Sequence, residues 1–532
     1  MIASGHVDTF ARDHLPPPQQ WPEFLFELPE LKFPDRLNCA VELLDRAVER
    51  GWGDRPCVIG EGVHWSYAQL LAQANRIAQV LVDDMGLVPG NRVLLRGANS
   101  PMLAACWFGV VKAGGIAVGS MPLLRAKELT QIVQTARVSH ALCDARLAEE
   151  LQRARPDCPT LTQVMLFHDS ELESRMANRP QGFRAVDTAI DDVCLIAFTS
   201  GTTGQPKGTM HFHRDVMASC VCWPPHVLRA TADDRFVGSP PLAFTFGLGG
   251  LLLFPLHIGA STVLLEKATP DVLLGAIARF KASVCFTAPT SYRAMASQAG
   301  QSDLSSLRKC VSAGEALPAA TRELWKQATG IELIDGIGST EMLHIFISAR
   351  EDQARGGATG LPVPGYRACV LDDQGRELPR GQVGRLAVKG PTGCRYLADE
   401  RQGTYVQQGW NVTGDAYLID TDGQFVYQAR TDDMIISGGY NIAGPEVEAA
   451  LLQHPAVAEC AVVGVADDER GQIVKAFVVV KPGAAADAAL VKTLQDFVKQ
   501  SIAPYKYPRA IEFRDSLPRT ETGKLQRFRL RQ

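Results

Sequence analysis

Short runs of consecutive apolar residues alternate with longer helical stretches between about residues 90 and 340: "RVLLRG" precedes "PMLAACWFGVVKAGG", "STVLLE" precedes "PDVLLGAIARF", and "SVCFTAP" precedes "SYRAMAS". Strands that are apolar on both faces, separated by helices, predict parallel sheets covered by helices, an α/β architecture. Between residues 357 and 430 the pattern turns to strands joined by tight turns, as in "AYLIDTDGQFVYQA", where Asp422-Gly423 marks a hairpin. Beyond "RTDDMIISGGYN" come a helical "PEVEAALLQH", the strands "ECAVVGV" and "KAFVVVK", and a helical "AALVKTLQDFVKQ". That order predicts a small α+β domain of about a hundred residues. No repeat or low-complexity tract interrupts the chain.

The run Val193–Thr199 is short, apolar and followed by a glycine-rich loop, so it reads as a central strand ending at Ser200. The loop, "TSGTTGQPKG", carries hydroxyls at Thr199, Ser200, Thr202 and Thr203, glycines at Gly201, Gly204 and Gly208, and a cation at Lys207. Glycines let backbone N–H groups approach a ligand, and lysine supplies a compact positive charge suited to phosphate oxygens. Gly/Ser/Thr content alone suits a surface linker equally well; the position straight after a buried strand favours phosphate cradling. The spacing differs from the P-loop of nucleotide triphosphatases, because Pro206 stands directly before the lysine and no Gly-Lys-Ser/Thr follows.

Composition narrows the partners. A chain of 532 residues, 46% hydrophobic, requires at least two domains. Its 54 basic and 58 acidic residues leave a net charge of −4, which argues against a dedicated nucleic-acid or acidic-membrane surface. The thirteen cysteines are scattered without the spacing of a zinc site or redox pair, as suits reduced thiols. The amino end "MIASGHVDTFARDHLPPPQQW" carries a histidine, acids and three prolines where a signal peptide needs an apolar block, and no apolar run reaches membrane-spanning length. A cytoplasmic protein is expected, monomeric or homodimeric, with no membrane and no nucleic-acid partner.

"DGIGSTEM" at 335–342, "TGD" at 413–415, "ARTDDMIISGGYNI" at 429–442 and "PRTETGKLQR" at 518–527 follow the loop in order. Together these motifs resemble those of the adenylate-forming superfamily, which includes acyl-CoA synthetases, peptide-synthetase adenylation domains and firefly luciferases. The resemblance covers nearly the whole chain. It implies an N-terminal adenylation domain (1–431) of two helix-covered sheets with a β-rich subdomain (about 357–430), and a small mobile C-terminal domain (432–532). It also implies two half-reactions: an acid and ATP give an acyl-adenylate and pyrophosphate, then the thiol of coenzyme A displaces AMP. In the first, negative charge gathers on phosphate oxygens, so positioned cations and N–H donors carry catalysis.

By motif, the resemblance makes Lys524 the contact to the attacking carboxylate and α-phosphate, Thr340 a hydrogen-bond donor to that phosphate, and Glu341 the magnesium ligand. Thr199, Ser200, Gly201, Thr202, Thr203, Gly204 and Lys207 would hold the phosphates of ATP. Gly314, Glu315, Asp335 and Gly336 would frame adenine, and Asp415 and Arg430 the ribose, with Ala429 before Arg430 where the family usually has glycine. Asp432 would be the hinge on which the small domain turns, and Gly438, Gly439 and Tyr440 would line the pantetheine tunnel. Residues 501–532 hold eight Lys/Arg against three acids, a surplus suited to the CoA nucleotide.

Within the superfamily, "SAGEALP" and "GIGSTEMLHIF" resemble the benzoate-type CoA ligases most closely. Their ring pocket maps onto Phe244, Thr245, Phe246, Gly338, His344 and Ile345, a flat apolar slot with two polar points that suits an aromatic acid. Thr245 stands where benzoate ligases often have alanine and Phe246 where they have tyrosine. With "PLAFTFGLGG" and "TFARDHLPPPQQWPEF", these departures resemble 2-aminobenzoate–CoA ligases, the added hydroxyl beside His344 accepting a hydrogen bond from an ortho substituent. The expected substrate is 2-aminobenzoate, with benzoate as a side substrate. The alternatives are a passive Thr245 with His344 satisfying the backbone, in a broader benzoate–CoA ligase, a carrier-protein-loading adenylation enzyme, which the basic tail disfavours, and a non-catalytic nucleotide-binding protein, which Lys524 and Glu341 disfavour.

Overall fold

The computed structural model describes the chain except residues 1, 200–205, 438–439, 468–469, 503, 520–524 and 532, and the side chains of 432, 436, 440, 441 and 471. Six strands form one sheet in the order Gln163–Phe167, His140–Asp144, Arg92–Arg96, Ile116–Ser120, Val193–Thr199 and Lys207–Phe212. The first five run parallel and the last antiparallel. Val193–Thr199 spans the expected residues but lies second from the edge rather than at the centre. The chain then returns antiparallel, with Thr199 paired to Lys207.

A second sheet has nine strands, in the order Leu361–Pro362, Ile345–Ser348, Leu333–Gly338, Lys309–Ser312, Val284–Thr287, Arg235–Gly238, Ser261–Val263, Pro56–Gly60 and Val63–Ser66. Its middle six are parallel and both ends antiparallel. The helices predicted between the strands are present. Pro101–Lys112 starts on a proline with Ser100 accepting from the Leu103 N–H at 3.2 Å, and Pro270–Phe280 also starts on a proline. One apolar cluster runs from Phe108 and Trp107 through Trp223 to Phe286 and Phe346 and joins the two sheets.

The β-rich region is an antiparallel sheet of Arg367–Leu371, Gly384–Lys389, Trp410–Ile419, Val406–Gln407 and Phe425–Arg430. The predicted hairpin forms at Asp422-Gly423, where Gly423 takes φ 84° and the Asp420 carboxylate accepts from the backbone of Asp422 and Gln424. Residues 395–397 leave this region to hydrogen-bond Lys207–Phe212: Met210 N–H donates to the Arg395 carbonyl and Leu397 N–H to the Gly208 carbonyl, both at 2.8 Å. After residue 434, strands Ile435–Ser437, Tyr440–Ile442, Val457–Asp467, Gly471–Val480 and Ala510–Phe513 with helices Gly444–Leu451 and Ala488–Ser501 enclose an apolar core of their own. None of the thirteen cysteines is disulfide-bonded, and among the described residues no helix is long and apolar enough to cross a membrane.

Candidate active site

The predicted residues collect where the parallel strands of the two sheets end. Thr199 closes Val193–Thr199, Gly314 and Glu315 follow Lys309–Ser312, Asp335, Gly336 and Gly338 close Leu333–Gly338, and Phe244 to Phe246 follow Arg235–Gly238. Ligands of open α/β sheets bind outside the carboxyl ends of the strands.

At the phosphate end, the hydroxyl of buried Tyr396 donates to Glu341 Oε1 at 2.5 Å and accepts from Lys207 Nζ at 2.7 Å. Lys207 Nζ also lies 3.6 Å from that carboxylate and 4.6 Å from the centre of the Tyr396 ring. Burial, reinforced by Glu341, raises the Tyr396 phenol far above its ordinary range, so it stays a donor. The Thr340 carbonyl accepts twice, from Leu343 N–H at 3.2 Å and from His211 Nε2 at 2.8 Å, and Leu343 is held at φ 69°, a strained value for leucine. His211 Nδ1 lies 3.8 Å from Asp215, whose carboxylate forms a fully buried ion pair with Arg395. Burial would raise Asp215, but Arg395 and His211 hold it below the usual carboxylate range. The motifs did not reveal Tyr396, His211, Asp215 or Arg395; "TMHFHRD" and "GCRY" contain them but carry no spacing signal.

At the nucleotide end, burial pushes Asp335 up to about 7, and its Oδ1 meets no partner among the described residues. Gly314 takes φ 89°, which glycine tolerates, and Gly336 is required because a Cβ there would meet the Ile345 side chain at 2.8 Å. Asp415 and Arg430 face each other across the Trp410–Ile419 and Phe425–Arg430 strands, with Arg430 Nη1 donating to Asp415 Oδ1 at 3.1 Å. Burial raises the Asp415 carboxyl, against the pull of Arg430. Ala429, in place of glycine, pairs with Ala416, and the register shifts just beyond it, where Tyr417 pairs with Tyr427.

The mapped acid wall comes together. Gly338 pairs with Ile345 in the antiparallel hairpin, and a Cβ at Gly338 would meet the His344 carbonyl oxygen at 2.6 Å. Phe244 and Thr245 open a short helix, and the Phe246 ring lies 5.7 Å from that of His344. His344 is 5% exposed, with neither ring nitrogen at bonding geometry to any described residue and only a weak pull from the Phe246 backbone. Burial lowers it to about 3, so the imidazole is neutral. Phe254 at 4.5 Å and Trp223 at 5.7 Å complete the box, and Gly249 leaves room for the ring, since a Cβ there would come 2.4 Å from it. Trp223 and Phe254 come from segments that no motif marks.

Several predicted residues lie outside the description: Ser200, Gly201, Thr202, Thr203, Gly204, Gly438, Gly439 and Lys524, with the side chains of Asp432 and Tyr440. The backbone at 432 is in a short turn, Thr431–Asp433, and Tyr440 begins a strand. Five of the eight basic residues of the tail have acidic partners in the structure. Lys506 pairs with Glu446, Arg514 with Glu512, Arg519 with Glu459 and Glu315, Arg527 with Glu448, and Arg531 with Asp433. Four of these five bases meet acids from outside residues 501–532, while Arg514 meets Glu512 within it. Cys39, Cys194 and His213 also cluster in the interior, but the His213 Nδ1 lone pair already accepts the Cys39 N–H at 3.1 Å, which reads as packing.

Known proteins match this arrangement over most of its length. The family model described as AMP-binding enzyme matches residues 44–396, and that of the AMP-binding enzyme C-terminal domain matches residues 446–524. The benzoate–CoA ligase of Thauera aromatica is 35% identical, over 94% of this chain and 97% of its own. The structure of an anthranilate CoA ligase, AuaEII, in complex with anthranoyl-AMP superimposes with a TM-score of 0.90 at 36% identity, covering 95% of this chain and 98% of that one. A benzoate CoA ligase from Burkholderia xenovorans LB400 gives a TM-score of 0.86 at 31% identity, covering 93% and 100%. The chain therefore belongs to the AMP-binding, adenylate-forming enzyme family, as an acid–thiol ligase of the benzoate–CoA ligase type.

Proposed function

We propose that this enzyme joins an aromatic carboxylic acid, 2-aminobenzoate first and benzoate as a side substrate, to coenzyme A through an acyl-adenylate, releasing AMP and pyrophosphate. His344 carries the reading. A neutral imidazole, buried among Trp223, Phe246 and Phe254 and engaged only weakly by the Phe246 backbone, leaves hydrogen-bonding capacity in an otherwise aromatic slot. An ortho amino group supplies the N–H that such an acceptor lacks, and the ring supplies the stacking surface. The similarity to an anthranilate CoA ligase and to benzoate–CoA ligases supports the same acid class.

The remaining roles follow from what adenylation needs. Lys207 and the loop 199–204 hold the triphosphate, Asp335 accepts from the adenine amino group, and Asp415 with Arg430 takes the ribose hydroxyls. A single carboxylate suits a hard cation that draws its other ligands from phosphate and water, so Glu341 would hold magnesium, which neutralises phosphate charge when bound. Thr340 and Lys524 position the α-phosphate and the attacking carboxylate. The small domain, residues 432–532, turns about Asp432 between the half-reactions, and Gly438, Gly439 and Tyr440 then face the pantetheine chain.

Purified enzyme with magnesium, ATP and CoA is expected to turn over 2-aminobenzoate with a higher kcat/KM than benzoate or 2-fluorobenzoate, and His344→Phe to reduce that preference about tenfold. A clear preference for benzoate would replace the amino-group reading with a broader benzoate–CoA ligase. Failure of every aryl acid to release AMP would end the reading altogether.

A further inference from the structure

Lys207 and Glu341 carry opposite charges at the phosphate end, yet their nearest atoms, Nζ and Oε1, stand 3.6 Å apart, too far for a hydrogen bond. The Tyr396 hydroxyl fills the gap, accepting from Lys207 Nζ at 2.7 Å and donating to Glu341 Oε1 at 2.5 Å. A lysine ammonium has three donors and a carboxylate has two acceptor oxygens. Among the described residues one donor of Lys207 is engaged, and the contacts to Glu341 fall on Oε1. A direct, close ion pair would use more of that capacity; the bridge leaves it for a ligand.

The phenol is the fixed member of the three. Tyr396 is 1% exposed, its backbone bridges to Thr209, its N–H donates to Gln402 Oε1 at 2.9 Å, and its ring packs edge-on against Tyr405 with centres 5.8 Å apart. Long lysine and glutamate side chains lose rotamer freedom when they are fixed, and a rigid partner fixes them before a ligand arrives. A buried tyrosine hydroxyl needs only one partner to be satisfied. This one joins the two charged side chains that face phosphate and cation in the reading above.

We infer that Tyr396 is a positioning residue for magnesium–ATP: its hydroxyl orients the Glu341 carboxylate so that Oε2 is left for the cation, and it keeps the Lys207 ammonium beside that carboxylate for phosphate. This role rests on the proposed assignment of Glu341 and Lys207, not on the identity of the acid.

The test is nucleotide binding without turnover. The affinity of α,β-methylene-ATP is measured by titration calorimetry in magnesium and in EDTA, with AMP alongside, for wild type, Tyr396→Phe, Glu341→Gln and the double variant. Magnesium is expected to strengthen binding of the analogue in wild type. Tyr396→Phe, which keeps the ring and removes the hydroxyl, should reduce that gain about tenfold, the scale of a hydrogen bond to a charged group. AMP affinity should stay level, because AMP lacks the β- and γ-phosphates; a merely structural tyrosine would lower both together. In the Glu341→Gln background, Tyr396→Phe should weaken analogue binding less than it does in wild type, since a residue that acts through another is not additive with it. Equal losses for AMP and the analogue, additive losses in the double variant, or an unchanged magnesium gain in Tyr396→Phe would each overturn the role. If thermal melts show Tyr396→Phe unfolded, Tyr396→His takes its place: its shorter ring withdraws the bridging atom, and the same pattern is expected. No acid enters the measurement. Failure of every aryl acid to release AMP would therefore remove the aryl-acid reading and leave this role standing, whereas a wild type that binds the analogue no better with magnesium would remove this role together with that of Glu341.

Discussion

Arg395→Met removes one half of a buried ion pair and keeps the length and apolar stem of the side chain. Both Arg395 and Asp215 are fully buried, and the guanidinium carbon sits 3.9 Å from the centre of the Phe212 ring. Burial lowers Arg395 to about 10 even against its partner, so both charges are strongly desolvated. Deleting one partner of such a pair costs about 3–5 kcal/mol. His211 at 3.8 Å and Arg214 at 4.0 Å still face Asp215, which places this case near about 3 kcal/mol. That is a large part of a typical folding stability of about 5–15 kcal/mol, and in a domain of this size it should lower the melting temperature by about 3 °C. The pH dependence gives a second reading. In wild type the Asp215 carboxyl is depressed, so its stabilisation is complete above the unfolded value of about 3.9 and is lost as pH falls through the lower folded value. In the variant, burial is no longer outweighed and the folded value rises above the unfolded one, so stability is lost as pH rises through it. The gap between variant and wild type should therefore narrow from pH 7 toward pH 5. Adding Asp215→Asn to the variant should recover part of the loss at pH 7. A gap below about 1 kcal/mol, the scale of an exposed pair, or one that does not narrow in acid, would refute the reasoning.

Three further outcomes are expected. His211→Ala should reduce acid-dependent pyrophosphate exchange at least tenfold with little change in the KM for ATP, because the Thr340 carbonyl loses a donor held at 2.8 Å, and His211→Gln should restore part of it. Asp335 titrates near 7, so the KM for ATP should fall as pH rises from 6 to 8 and the carboxylate becomes a full acceptor. Its folded value lies above the unfolded one, so its contribution to stability is present at low pH and lost as pH rises through about 7; Asp335→Asn should flatten the ATP profile and melt higher than wild type at pH 8. Lys524→Ala should abolish adenylate formation while supplied aroyl-AMP still reacts with CoA, measured as separate half-reactions; loss of both halves would contradict a lysine that acts only in the first.

Partly exposed ion pairs also involve the C-terminal residues. Arg519 bridges Glu459 within it and Glu315 beside the expected adenine site, and Glu315 makes further contacts. Each pair is partly exposed and individually weak.

Local chemistry determined much of this protein from the sequence alone. Val193–Thr199, Pro270–Phe280 and the hairpin at Asp422-Gly423 follow from apolar periodicity, a proline at a helix start and a glycine free to take positive φ, all properties of neighbouring residues. The spacing of five motifs carried the family and the candidate residues for the same reason. Sheet order decided the rest. It set Val193–Thr199 beside the edge, and it laid residues 395–397 along Lys207–Phe212, so that Tyr396 reached Glu341 and Lys207. Arg395 meets Asp215 across 180 positions and His211 meets Thr340 across 129, separations at which no periodicity survives. The basic tail shows the same limit: its charges could be counted in the chain, but which acids would neutralise them depended on how distant strands and helices packed.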